Sequence, residues 1–165
     1  MNKMKYRIVF DVIRDGYSAW SMVLVGLLFV FVGVGLVAFR HRLRGRHVVF
    51  VQVVAPFALL ASAVLWTGIV VVFTLKDYWS LRDDLSRGRC EVTEGVVSGF
   101  VPSRIGQGRS TFESFTVGSE YFSYSDFNIV AGFHRTSSYG GPIRAGLQVR
   151  IHHRNREIAR LEIAE

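Results

Sequence analysis

Two long stretches of this chain carry no charged side chain, and they constrain its fold more than any other feature. Ala19–Phe39 is 21 residues of Val, Leu, Phe and Gly, and Val48–Leu75 is 28 residues with Gln52 as its most polar member. A bilayer-spanning helix needs about 20 such residues. At 1.5 Å per residue the second run is roughly 42 Å long, more than a hydrocarbon core of about 30 Å requires. Its excess predicts tilt, or a first turn at the interface before Pro56. A chain of 165 residues cannot cover two such runs as soluble core helices. A cleaved signal peptide is also excluded for the first run: its apolar length exceeds the usual core, and an Arg-rich segment follows it. The sequence therefore predicts a two-helix transmembrane hairpin over residues 19–75.

The loop of the hairpin, residues 40–47, reads Arg-His-Arg-Leu-Arg-Gly-Arg-His. It is long enough only for a tight return, so both tails lie on one side. Lys/Arg density places this loop in the cytoplasm. The raw count points the other way, because Lys3, Lys5, Arg7, Arg14, Lys76, Arg82, Arg87 and Arg89 sit in the tails. The reading adopted here is loop inside, with the C-terminal domain in the periplasm. The spans hold no Asp, Glu, Lys, Arg or His, so they read as an anchor and not a transport path. Ala58 and Ser62 are spaced for close contact with the first span, while Gln52 and Thr67 suit interhelical hydrogen bonds.

The charge distribution agrees. The net charge is +7. Residues 1–89 hold 12 Lys+Arg against 5 Asp+Glu, a balance of +7, and residues 90–165 hold 8 against 8, a balance of 0. The excess flanks the apolar runs, as membrane topology demands, and leaves no basic face for nucleic acid.

Residues 1–18 form an amphipathic segment. Tyr6, Val9, Phe10, Ile13 and Tyr17 follow a helical 3/4 spacing, which predicts a short helix in the interface plane. Tyr78 and Trp79 suit an aromatic belt, and Leu81 and Leu85 carry the second helix onward as a juxtamembrane stalk over 76–89, with Gly88 as its C-cap.

From Cys90 the helical period gives way to a small all-β domain over 90–165. Val92–Val101 is β-rich, with Gly95 and Gly99 marking bulges or sharp coiling. Ser103–Ser110 reads as a polar loop. Gly118-Ser119 joins Phe115–Val117 to Glu120–Phe122 as a hairpin with a type II′ turn. Leu147, Val149 and Ile151 alternate, as do Ala159, Leu161 and Ile163, around a turn at Asn155, with Arg150, Arg160 and Glu162 outward. An OB/SH3-like barrel or an open antiparallel sheet accommodates these strands.

The irregular connection Ser123–Pro142 mixes aromatics with Gly, Asn, Asp and Ser, the composition of a binding loop. Its candidate contact residues are Tyr124, Asp126, Phe127, Phe133 and Tyr139. The competing reading makes these aromatics plugs of the barrel ends.

The sequence carries no strong catalytic or metal-binding pattern. His41 and His47 lie among arginines that repel a dication. His152 and His153 point to opposite strand faces and cannot easily share a metal. His134 with Asp126 has no ligand spacing behind it. Cys90 has no partner in sequence and reads as a small apolar residue. Ser125, Asp126 and His134 supply triad residue types without a triad order. No cofactor or metal is expected.

The segments Val92–Val96, Glu113–Phe115, Phe122–Asp126, Gly140–Ile143 and Arg160–Ile163 resemble a group of uncharacterised bacterial membrane-anchored envelope proteins. The resemblance covers residues 78–163. It implies a bacterial, membrane-anchored β module and carries no activity or site residues. The function expected from the sequence is a membrane-anchored binding or scaffolding module of the bacterial inner membrane. Its partners would be the lipid bilayer and a protein or envelope polymer. Two alternatives stand beside it: an envelope hydrolase using Asp126 and His134, with Glu113, and an accessory subunit of a membrane complex joined through the hairpin.

Overall fold

The structure, a computed structural model, describes residues 5–40, 54–103 and 112–165. It divides into two compact units. Ala19–Leu75 forms one, and the residues up to Ser18 together with Lys76–Glu165 form the other. The loop residues 41–47, Gln52 and most of the Ser103–Ser110 loop lie outside the described residues.

In the helical unit, α2 spans Trp20–Ala38 and α3 begins at Ala55, continuing to Ser86. (The single-turn α1, Val12–Asp15, belongs to the other unit.) Both helices are long and apolar enough to cross a membrane. Large side chains such as Leu24, Phe31, Leu65 and Phe73 point outward, and the buried residues of α2 are Gly26 and Gly33. Small residues let the backbones approach where hydrophobic burial supplies no drive. A methyl group on Gly26 would sit 2.5 Å from Thr67 Oγ1, and one on Gly33 would sit 3.0 Å from Leu60 Cα.

This seam differs from the expected one. Ala58 and Ser62 are exposed, and the contact runs through Leu60 and Thr67 with Ala63 buried on the same stripe. Nor does Thr67 bond across the helices. Its hydroxyl donates to the Ala63 carbonyl at 2.7 Å, and Ser62 donates to Leu59 at 2.9 Å, each within its own helix. A hydroxyl one turn along always has that carbonyl in reach, and it needs no partner helix.

The second unit is a six-stranded antiparallel sheet in the order β1-β6-β5-β2-β3-β4. Its strands are β1 (Tyr6–Asp11), β2 (Glu91–Val101), β3 (Glu113–Val117), β4 (Glu120–Tyr124), β5 (Gln148–Arg154) and β6 (Glu157–Ala164). The barrel is not closed: β1 and β4 are its two edges. Three extra residues coil the sheet. Val9 interrupts the β1–β6 register, Ala159 the β5–β6 register, and Gly99, at φ +57, falls where β2 gains a residue on β3. The turns behave as their sequences ask. Gly118 takes φ +59 between Val117 and Glu120, and Asn155 and Arg156 take φ 49 and 70, the type I′ pattern.

Two expectations about the flanks are corrected. Residues 6–11 are the edge strand β1, followed by the one-turn α1 (Val12–Asp15), and not an interfacial helix. The tie is specific: Asp11 accepts from Arg160 Nε at 2.8 Å and caps α1 through Ile13 N–H. Residues 76–86 are not a free stalk either. Tyr78, Leu81 and Leu85 are buried with Val12, Ala131 and Ala159 in a second hydrophobic cluster, so Tyr78 packs on Tyr17 and does not serve a belt. Trp79 alone of that pair stays exposed. Gly88, at φ +65, does cap the helix, with its N–H on the Leu85 carbonyl. The main core lies inside the sheet's curve, around Phe115, Phe122, Ile143, Ile151 and Leu161.

Candidate functional site

The connection between β4 and β5 is held by two carboxylate clasps, one fully buried and one half-buried. Glu113 lies opposite Tyr124 in the β3–β4 ladder and is fully buried. It accepts from the Tyr124 hydroxyl at 2.7 Å and, with its other oxygen, from the Ser137 N–H at 2.7 Å. Burial, reinforced by this carboxylate, pushes the Tyr124 phenol well above its ordinary pKa. Asp126 accepts from the Thr136 N–H at 2.9 Å and from the Thr136 hydroxyl. Between them the clasps join the outgoing limb of the connection to its returning limb. Two further carboxylates anchor the middle: Asp77 accepts from Ala131 N–H at 3.3 Å and Glu157 from Gly132 N–H at 2.9 Å.

Phe133 fills the gap between the sheet's edges. Its ring meets Phe10 of β1 edge-on at 5.5 Å and Tyr124 of β4 at 5.4 Å. Its N–H donates to the Ile158 carbonyl at 2.9 Å, so the connection continues along β6 where β1 stops. A side chain, and not a strand ladder, thus spans the opening that keeps the sheet from being a barrel.

The five candidate contact residues therefore separate. Tyr124, Asp126 and Phe133 are committed to the fold. Phe127 and Tyr139 stand on the surface, 67% and 52% exposed, with their rings 6.4 Å apart. The hydrolase residues are not assembled into a relay. Both Asp126 oxygens serve Thr136, and His134 Nδ1 bonds the Gly132 carbonyl at 2.8 Å. Glu113 is enclosed with Tyr124 and Ser137. His152 and His153 likewise part company. His153 is buried beside Phe122, with Nε2 bonded to the Thr93 hydroxyl at 2.9 Å. His152 is half-buried, and that burial lowers its pKa. Among the described residues no three His, Cys, Asp or Glu side chains gather as a metal site.

A cavity of about 620 Å³ opens where β1 meets the returning limb. Val9, Phe10, Phe133 and Pro142 give it apolar walls, and His134 and Arg135 give it polar ones. Asp15 also faces it. Burial raises that carboxyl's pKa, but the Arg14 guanidinium and the Asp11 N–H outweigh the effect and hold it below the usual carboxylate range. Sequence reasoning missed Phe10 and Arg135. The spacing around Phe10 predicts a helix, and Arg135 is an ordinary arginine until the fold sets it on a cavity wall. No family model, curated protein or solved structure matches this chain.

Proposed function

We propose that this protein is a membrane-anchored binding module of a bacterial inner membrane, which presents the Ser123–Pro142 connection to a protein or envelope polymer. The observation that carries the reading is the make-up of α3. Its Ala55–Leu75 part is apolar and outward-facing, and its Tyr78–Leu85 part is core of the β unit. The same helix thereby contributes residues to each of the two units. Phe127, Ile129 and Tyr139, each at least half exposed, form the apolar surface of the connection. Scattered exposed apolar residues are ordinary on proteins, but three on one pinned loop are the composition of a contact site.

The test has two parts. Alkaline carbonate should leave the protein in the membrane pellet, and release into the supernatant would end the anchor reading. Photo-crosslinkers placed at Phe127 and at Tyr139 should give one discrete adduct that a crosslinker at Val92, an equally exposed position on β2, does not give. Identical adduct patterns at all three positions would overturn the loop assignment. Adducts from α2 alone would return the protein to the role of a subunit joined through its hairpin.

A further inference from the structure

The cavity between β1 and the returning limb has features that fit one ligand class. Its apolar part is built from Phe10, Phe133 and Pro142, and its volume of about 620 Å³ matches small-ligand sites, which run about 300–1,000 Å³. Its uncompensated charge is positive. Asp15 is already engaged, with Oδ1 on Arg14 Nε at 3.0 Å and Oδ2 on the Asp11 N–H at 2.9 Å. Arg135 is exposed and has no side-chain partner among the described residues. His134 offers a defined acceptor. The Gly132 carbonyl can only accept, so Nδ1 carries the hydrogen, and in the uncharged tautomer that this bond selects Nε2 is the acceptor.

The cavity also adjoins a sheet edge. Glu165 N–H donates to the Lys5 carbonyl at 2.9 Å, which sets the phase of the β1–β6 ladder. In that phase Lys5 and Arg7 face β6, while the backbone groups of Tyr6 and Ile8 turn away from it. An edge strand with outward amides leads into a pocket whose first wall residues, Val9 and Phe10, belong to the same strand. Extended peptides add to sheet edges in this manner, with pockets reading their side chains.

We propose that this cavity receives the C-terminal end of an extended peptide. The last side chain, an apolar one, packs against Phe10, Phe133 and Pro142. The terminal carboxylate pairs with the Arg135 guanidinium, whose planar fork matches it. His134 Nε2 accepts an amide N–H from the peptide. The inference deepens the binding-module reading and rests on it.

The experiment uses the full chain in detergent micelles and a fluorescein-labelled hexapeptide ending in leucine. The free-acid peptide should give saturable anisotropy. The same peptide amidated at its C terminus should bind at least about tenfold more weakly, as should the acid to Arg135→Gln. Arg135→Lys should recover part of the loss. Among the described residues the Arg135 side chain has no partner, so the melting temperature of Arg135→Gln should equal that of the wild type. Equal binding of acid and amide, equal binding by wild type and Arg135→Gln, or no saturation by about 1 mM would overturn the proposal. Free leucine matching the hexapeptide would replace it with a small-carboxylate site. In each of those cases the carbonate and crosslinking results at Phe127 and Tyr139 would still decide the binding-module reading separately.

Discussion

Gly132 has no room for a methyl group. A Cβ there would lie 2.7 Å from Glu157 Cγ and 2.8 Å from the Ile158 carbonyl oxygen. Gly132→Ala should therefore cost about 1–3 kcal/mol of stability, as overpacking does, and a thermal melt within a degree of wild type would contradict the packing described. Tyr124→Phe tests the buried clasp in a different way. It leaves the volume nearly unchanged but strips the donor from a fully buried Glu113 oxygen. The expected loss is about 1–3 kcal/mol by chemical denaturation. Phe127→Ala, on the surface, should stay within about 0.5 kcal/mol of wild type. That contrast is what the sequence hid. Tyr124, Phe127, Phe133 and Tyr139 are all aromatics in one irregular connection, with no period to say which side faces in. Two of them plug the fold and two face solvent because Glu113 and Asp126, ten or more residues from their partners Tyr124 and Thr136, set where the limbs cross.

Elements were legible where their pattern was local. The β3–β4 and β5–β6 hairpins and the bulge at Gly99 follow from alternation and turn chemistry alone. β1 was not legible. Its pairing partner β6 lies some 150 residues away, and the interruption at Val9 breaks the alternation that would have marked a strand. The end of α3 was half legible: its helical spacing was visible, but the sheet it packs against was not. Arg154 makes that junction, reaching Asp77 at 3.2 Å, Ser80 at 2.5 Å and Asp84 at 2.9 Å from β5. Glu157 lies in the same cluster. Its carboxyl pKa is raised, first by burial and then by the nearby Asp77 charge. A raised carboxyl favours the folded state when protonated. Its ionised form therefore weakens the fold at neutral pH, and that cost fades as pH falls through the raised pKa toward the unfolded value. Glu157→Gln keeps an acceptor for Gly132 N–H and removes the charge. It should stabilise the protein at about pH 7–8, with the gain vanishing near about pH 4. A gain independent of pH, or a loss at neutral pH, would show that Glu157 acts through its ion pair with Arg154, 3.6 Å away, and not through its desolvated charge.

At the scale of the whole molecule, the charge pattern makes a statement about direction that the fold does not. All of the +7 excess sits in residues 1–89, and Arg40, Arg42, Arg44 and Arg46 are packed into one short loop between the apolar runs. Dense arginine in a short loop resists translocation, while tail charges are spread along two segments and diluted by Asp11, Asp15, Asp77, Asp83 and Asp84. Several of those tail arginines are also engaged in the β unit. Arg87 and Arg89 pair with Asp83 and Asp84, which offsets part of the tail charge. The expected orientation therefore keeps the loop in the cytoplasm and the β unit outside it. A reporter active only in the periplasm, fused after Glu165, should be active, and one active only in the cytoplasm should be silent. Replacing Arg42, Arg44 and Arg46 together by Gln should then yield a mixed population, because the loop would lose the density that outweighs the larger tail count. If the wild-type fusion reports cytoplasm instead, the tail count outweighs loop density, and the peptide ends available to the Arg135 cavity would be those of cytosolic proteins.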